Sequence, residues 1–234
     1  MHPTGLPKYA VDGAIRRRGR LHAIESLNPA RTALVVIDMQ NVFLQEGSPA
    51  ETPMARAIVP NINRLADVVR SRGGPVAWVQ MTHDKSDLDS WSVFYDNIFG
   101  PERTPTINAW LSKGHEGQAL WPDLDVRDDD LIVEKNRFSA FLPGSSNIAE
   151  LLSGRGIDTV LITGTLTHVC SESSARDAMM MNYKAVMVSD ANAAPADEEH
   201  IASLASFVQV FGDVYSTDEV IDLLNARKSE DAAE

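Results

Sequence analysis

Cysteine is almost absent from this sequence: Cys170 is the single cysteine in 234 residues, so no disulfide can form within the chain. A thiol that must stay free suits a reducing compartment, and we expect a cytoplasmic protein. Long hydrophobic runs are also absent, since ALVVI and VLIT fall far short of the roughly 20 residues that a membrane helix needs. The N-terminus lacks the apolar core of a signal peptide. We therefore expect no membrane partner.

Positive charge is scarce, because 21 Lys and Arg residues stand against 33 Asp and Glu residues, for a formal net charge of -12. Such a surface repels phosphate backbones, so we expect no nucleic-acid partner. The one basic run, IRRRGR, lies in residues 1–30, which we interpret as a solvated or intersubunit arm rather than an anion site. Residues 31–228 are predicted to form a single domain, and residues 229–234 a disordered tail.

Five short runs rich in β-branched residues are apolar almost throughout, which is typical of parallel strands covered on both faces. They are residues 32–38, 75–81, 130–135, 159–164 and 184–190. Segments with helix-start and helix-end signals separate them, for example SSNIAELLSGRG and DEEHIASLASFVQVFG. This alternation predicts an α/β fold with a doubly wound parallel sheet.

Residues 82–129 interrupt the alternation with a long connection. Connections of this length in a compact domain are usually lids or interface elements, although plain packing of extra turns explains them equally well. The segment is rich in aromatic side chains: Trp91, Phe94, Tyr95, Phe99, Trp110 and Trp121.

Reactive side chains follow three of the predicted strands. Asp38 and Lys135 each close a strand, and Cys170 follows the strand that ends at Gly164, where we expect the first turn of a helix to favour the thiolate. Ligands of open parallel sheets bind at the carboxyl ends of the strands. Taken singly, the three residues are explained by a helix cap, a surface charge and a buried apolar thiol. Together they supply a base, a cation and a nucleophile.

Three blocks, VVIDMQNVFL, VEKNRFSAF and ITGTLTHVCSESSARDAMMMNYKAVMVSDANAA, resemble the signature blocks of the isochorismatase-like cysteine hydrolase superfamily. The resemblance implies a Rossmann-like, three-layer αβα fold with a six-stranded parallel sheet and a catalytic triad of Asp38, Lys135 and Cys170. It also implies a cis peptide between Thr165 and Leu166, and an oxyanion hole formed by the backbone N–H groups of Leu166 and Cys170. Relatives of this kind assemble as homodimers or homotetramers, which we expect here.

A cysteine at position 170 favours the branch of the superfamily that hydrolyses C–N bonds. The implied reaction passes through an acyl-thioenzyme formed from a small amide, ureide or N-carbamoyl compound. The alternative is a catalytically inactive binding or regulatory protein that keeps the fold. A thiol redox sensor is a third possibility, but the chain has no second cysteine to act as a resolving partner.

Nicotinamidases of this superfamily carry a His-rich metal site after the catalytic Asp, whereas MQNVFLQEGSPAETP has no His, so we expect neither a metal nor another cofactor. Arg137 and Phe138 begin the loop after Lys135, and a guanidinium there suits a substrate carboxylate. The alternative for Arg137 is a structural salt bridge. Weaker candidates for substrate contact are Asn41, His83 and Trp78. His168 stands where many relatives have Asn or Asp, with an effect that the sequence does not define.

Overall fold

The computed structural model describes residues 1–230 and contains a six-stranded parallel sheet in the order β3-β2-β1-β4-β5-β6. The strands are β1 (Thr32–Ile37), β2 (Val76–Met81), β3 (Leu131–Lys135), β4 (Thr159–Thr165), β5 (Lys184–Ala193) and β6 (Asp213–Tyr215). The α-helices are α1 (Lys8–Arg18), α2 (Asn41–Leu44), α3 (Pro53–Ser71), α4 (Lys85–Ser90), α5 (Thr104–Leu111), α6 (Ile148–Ser153), α7 (Glu172–Met180), α8 (Asp197–Val210) and α9 (Thr217–Glu230).

The central strands are apolar on both faces because helices cover both sides of the sheet. All six residues of β1 are buried. Val35 and Ile37 belong to the core cluster that includes residues of α6, α7 and α8, whereas Leu34 and Val36 belong to the cluster formed with α3 and α9. The result is the three-layer α/β arrangement that the family resemblance implies.

The strand order reverses direction next to β1, which lies between β2 and β4. Connections leave the sheet to opposite sides at such a point, so a crevice opens at the carboxyl ends of the strands. Gly164 permits the close approach of β4 to β1 here, since a Cβ atom at this position would lie 2.0 Å from the carbonyl oxygen of Ile37. Asp38, which follows β1, is therefore next to the end of β4.

The predicted N-terminal arm packs against its own domain. Helix α1 lies along α8 with the small side chains of Ala10 and Ala14 fully buried, and Arg18 forms an ion pair with Asp213 of β6. His2 is also buried. Of the predicted tail, residues 229 and 230 are helical as the end of α9, and the other positions lie outside the described residues.

Residues 82–129 form extra structure over the carboxyl edge of the sheet. The segment contains α4, a π-helical turn (Val93–Phe99) and α5. A short bridge pairs Gln40 with Leu120 and ties the end of the segment to the chain after β1. Within residues 1–230, no helix combines the length and the apolar character required to cross a bilayer.

Candidate active site

A cavity of about 510 Å³ lies at the carboxyl edge of the sheet, and the thiol-bearing residue Cys170 lines it. One side of the cavity comes from the chain after β4, which contributes Leu166 and Val169. The opposite side comes from residues 82–129, which contribute His83 and several aromatic rings. The long connection therefore forms the roof of a pocket, which is the first of the two roles considered for it.

Asp38 and Lys135 form a buried ion pair beside this cavity. The Nζ atom of Lys135 lies 2.8 Å from Oδ2 of Asp38, and both side chains are inaccessible to solvent. Lys135 also donates a hydrogen bond to the backbone oxygen of Arg137 at 3.1 Å. Asp38 has a φ of +51°, a left-handed conformation that Asp tolerates better than most residues and that turns the chain away from β1.

Cys170 adjoins both members of this pair, whose charges act on the pKa of its thiol in opposite directions. It belongs to a π-helical turn (Thr167–Ser171) that precedes α7, and it is 5% exposed. The strand ends thus bring together the three side chains that the sequence spaces over more than 130 residues. Their contact provides a nucleophile, a proton acceptor and a fixed cation in one place.

Burial controls the protonation of these three groups. Burial raises the pKa of the Cys170 thiol, with the positive charge of Lys135 opposing the rise and the negative charge of Asp38 adding to it. Burial likewise raises the pKa of Asp38 against the effect of Lys135. For Lys135 burial works against the charged form, but Asp38 and Cys170 outweigh it and raise its pKa. The expected stabilisation of a thiolate by the helix is therefore outweighed, and Cys170 rests as a thiol that needs a base.

The chain before Cys170 has the geometry that the resemblance implies. The peptide bond between Thr165 and Leu166 is cis. Thr165 is fully buried at the end of β4, where its hydroxyl donates to the backbone oxygen of Ala193 at 3.4 Å. Leu166 and Cys170 both line the cavity.

His83 is a cavity residue with two polar neighbours. Its Nδ1 atom lies 2.9 Å from Oδ1 of Asn108, and its Nε2 atom lies 3.0 Å from the hydroxyl of Tyr95. Burial lowers the pKa of His83, which keeps the ring neutral at pH 7. His83 is thus both a lining residue and a satisfied histidine, and Asn108 is a neighbour that sequence reasoning missed.

Arg137 is not among the residues that line the cavity, so its contact with a substrate carboxylate stays a prediction. Its guanidinium donates to Oγ of Ser90 at 2.8 Å and to the backbone oxygen of Asn136 at 2.7 Å, and it lies 3.7 Å from a carboxylate oxygen of Asp87. These contacts tie the loop after β3 to α4, as in the structural alternative. Phe138, the next residue, does line the cavity.

Trp78 and Asn41 are also excluded from the cavity wall. Trp78 is fully buried in the core cluster formed with α3, where its indole N–H donates to Oδ2 of Asp130 at 2.7 Å. Asn41 begins α2, and its amide donates to the backbone oxygen of Glu116 at 2.8 Å. His168 lies 3.7 Å from a carboxylate oxygen of Glu199 and is not a lining residue.

Other lining residues come from scattered segments with no motif in common. Their shared property is an apolar side chain, and no spacing in the sequence could connect them: Phe43, Met81, Ile107, Leu111, Val169 and Pro195. In the part of the chain from residue 1 to residue 230, no group of three or more His, Cys, Asp or Glu side chains is arranged to hold a metal ion.

Comparison with known proteins matches residues 32–219 to the isochorismatase domain. The chain is 35% identical to a probable inactive nicotinamidase of Arabidopsis thaliana over 74% of its length and 86% of that protein. It is 31% identical to a ureidoacrylate amidohydrolase of Rhizobium rhizogenes over 71% of its length and 72% of that protein.

A solved cysteine hydrolase from Pseudomonas syringae pv. phaseolicola superposes with a TM-score of 0.77 at 28% identity, covering 86% of this chain and 95% of that one. The residues matched by the domain include β1 to β6 and the site residues Asp38, Lys135 and Cys170. Sequence, sheet order and site geometry agree, and this chain belongs to the isochorismatase family of hydrolases.

Proposed function

We propose that the protein hydrolyses a C–N bond of a small amide or ureide through a thioester on Cys170. The contact of Cys170 with the buried pair of Asp38 and Lys135 carries the proposal. A thiol with a raised pKa is a poor nucleophile alone, and a carboxylate in contact with it can remove its proton as it attacks. Burial raises the pKa of Asp38, and the positive charge of Lys135 opposes that rise and so favours the ionised form that acts as a base.

The first half of the reaction forms the thioester. Asp38 accepts the thiol proton as the sulfur of Cys170 bonds to the substrate carbonyl carbon, and the carbonyl oxygen becomes an oxyanion. Backbone N–H groups of Leu166 and Cys170 stabilise that charge. Asp38 then transfers its proton to the substrate nitrogen, the C–N bond breaks, and ammonia or an amine leaves.

Water completes the cycle. Asp38 removes a proton from a water molecule as the water oxygen attacks the thioester carbonyl, and the C–S bond breaks. The sulfur of Cys170 recovers the proton from Asp38, and the carboxylic acid product departs. Each proton that Asp38 accepts is returned, so the enzyme ends in its starting state.

An assay of ammonia release over a panel of primary amides and ureides, with protein dialysed against EDTA, tests this function. We expect turnover in the wild type and a loss of more than about 1,000-fold in Cys170→Ala, with circular dichroism unchanged. Cys170→Ser is also expected to lose most activity, because an alkoxide is much harder to form than a thiolate. Turnover in Cys170→Ala within about tenfold of the wild type contradicts the nucleophile assignment.

A catalytically inactive binding protein is the second candidate, and the name of the Arabidopsis relative favours it. The buried Asp38–Lys135 pair argues for turnover, because two desolvated charges are costly to retain without a use. Amide binding by calorimetry with no product after long incubation at high protein concentration would establish the inactive alternative.

A further inference from the structure

The roof of the cavity is a continuous surface of aromatic rings. Phe94 lies at its centre, with ring centroids 4.4 Å from Trp91, 5.5 Å from Phe99 and 5.1 Å from Phe138. Tyr95 lies beside it at 5.0 Å. All five rings line the cavity, and their mutual contacts fix the surface before any ligand binds. We call these five residues the aromatic wall.

Aliphatic side chains extend this apolar surface toward the nucleophile. Met81, Ile107, Leu111 and Val169 line the same cavity as the wall and Cys170. A cavity of about 510 Å³ is much larger than a scissile amide group alone requires, and it falls in the range of about 300–1,000 Å³ that holds drug-sized ligands. Most of the space beyond the reacting carbonyl is therefore suited to hydrocarbon.

The cavity offers poor support for a substrate carboxylate. Among the described lining residues, formal charge is confined to Glu51 and Arg103. Glu51 already accepts hydrogen bonds from the backbone N–H of Gly47 at 2.8 Å and from Arg56 at 2.9 Å. Arg103 is exposed at the rim, where water and salt screen its charge. A carboxylate against the wall would lose its hydration without gaining a buried cation.

The aromatic wall also disfavours a cationic substrate. The guanidinium carbon of Arg137 lies 5.0 Å from the centroid of the Trp91 ring, and that of Arg103 lies 4.9 Å from the centroid of Phe99. Two rings of the wall are thus already within cation–π distance of a positive group. Less of the cation–π attraction of these two rings is therefore available to a positive substrate group.

We infer that the substrate is a neutral amide or ureide with an aromatic ring or branched hydrocarbon group that packs on the aromatic wall. The inference rests on the proposed function for the position of the reacting carbonyl. The apolar group and that carbonyl must fit together in one cavity, since Cys170 and the wall both line it. Small acidic ureides are correspondingly poor substrates.

Steady-state kinetics on three primary amides tests the inference, namely propanamide, 3-phenylpropanamide and succinamic acid. All three have an unbranched carbon next to the carbonyl, and they differ in the group at the other end of the molecule, which is methyl, phenyl or carboxylate. We expect kcat/KM for 3-phenylpropanamide to exceed that for propanamide by at least about thirtyfold, as expected for burial of a phenyl ring. Succinamic acid is expected to fall at or below propanamide.

Phe94→Ala and a matched control locate the effect. Phe94→Ala is expected to lower kcat/KM for 3-phenylpropanamide by at least about tenfold more than it lowers that for propanamide. Phe211→Ala removes a ring that lies at the end of α8 under Arg176, outside the cavity, and should change neither value.

Equal kcat/KM for the three amides, or a preference for succinamic acid, overturns the inference while leaving the proposed function intact. If no amide is hydrolysed, the proposed function fails, and calorimetry then decides the inference separately. Binding of 3-phenylpropanamide that Phe94→Ala weakens supports the aromatic wall as the binding surface. Absence of such binding, or binding that Phe94→Ala does not weaken, overturns it.

Discussion

Two charged side chains in a solvent-free contact dominate the site at the scale of single residues. The pair of Lys135 and Asp38 is fully buried at 2.8 Å, and the cost of desolvating both groups cancels much of their attraction. Removal of one partner leaves the other charged in low dielectric, or forces it to change protonation. The pair is therefore weak support for stability. Lys135 favours the ionised form of Asp38, which the proposed reaction uses as a base.

Lys135→Met is expected to abolish activity and to lower the free energy of unfolding by about 3 kcal/mol, because it leaves Asp38 without a counter-charge. Urea denaturation and the ammonia assay measure the two effects. The double variant Asp38→Asn/Lys135→Met should regain most of the lost stability and none of the activity. Full stability in Lys135→Met would show that Asp38 does not depend on the ion pair.

Arg137→Met is expected to lower kcat/KM for acidic and neutral amides by the same factor, because Arg137 contacts Ser90 and Asp87 rather than the cavity. Steady-state kinetics on succinamic acid and propanamide checks this. A selective loss on the acidic amide would place the guanidinium against substrate after all.

Residue positions at strand ends were predictable, and side-chain directions were not. Asp38, Lys135 and Cys170 meet because parallel strands end at one edge and because the three sequence blocks resemble those of a known superfamily. Arg137 obeys the same positional rule, yet its partners come from α4, whose path no local pattern encodes. Trp78 alternates to the opposite face of β2 and is buried there.

At the scale of elements, the nucleophile turn is supported by α8. The hydroxyl of Thr167 lies 2.9 Å from Nδ1 of His200, and the His200 ring stacks on His2 with centroids 4.5 Å apart. Oδ1 of Asp197, at the start of α8, lies 2.6 Å from Nδ1 of His2. His2 therefore contacts His200, the residue that pairs with Thr167 in the turn that carries Cys170.

Burial, together with the nearby charge of His2, lowers the pKa of His200 to about 4, whereas an unfolded histidine has a pKa of about 6.5. Below pH 6.5 the unfolded chain binds the proton first, so this contribution to stability is complete above about pH 6.5 and is lost as pH falls toward 4. The free energy of unfolding should drop by about 2 kcal/mol more between pH 7 and pH 5 in the wild type than in His200→Asn. Urea titrations measure both values, and an equal drop in the free energy of unfolding of the wild type and His200→Asn would contradict this prediction.

Long elements were easier to predict from the sequence than short ones. Five of the six strands are apolar runs that stand out, but β6 has only three residues, Asp213–Tyr215, and forms by pairing with β5 rather than by its own pattern. The basic run of α1 predicted a solvated or intersubunit arm; Arg16 and Arg17 are exposed, but the buried Ala10 and Ala14 of the same helix pack against α8. In both cases contacts with another element, rather than the local sequence pattern, determine the structure.

At the scale of the whole molecule, the sheet and the roof contribute different groups of residues to the site. Asp38, Lys135 and Cys170 lie at or after strand ends, and residues 82–129 supply most of the aromatic wall. If the proposed function and the inferred substrate are correct, reaction class and substrate choice reside in different parts of the chain. The fold and the proximity of Asp38, Lys135 and Cys170 could be predicted from the sequence, while the shape of the pocket required the path of the roof.

Intact-mass spectrometry of protein quenched in acid within milliseconds of mixing with 3-phenylpropanamide measures the thioester directly. We expect a fraction of the wild-type chain to gain the mass of one phenylpropanoyl group, with peptide mapping placing it on Cys170 and none on Cys170→Ala. Hydroxylamine should remove the added mass, as it does for thioesters. Turnover of the amide with no added mass at any quench time, or an adduct on another residue, would contradict covalent catalysis by Cys170.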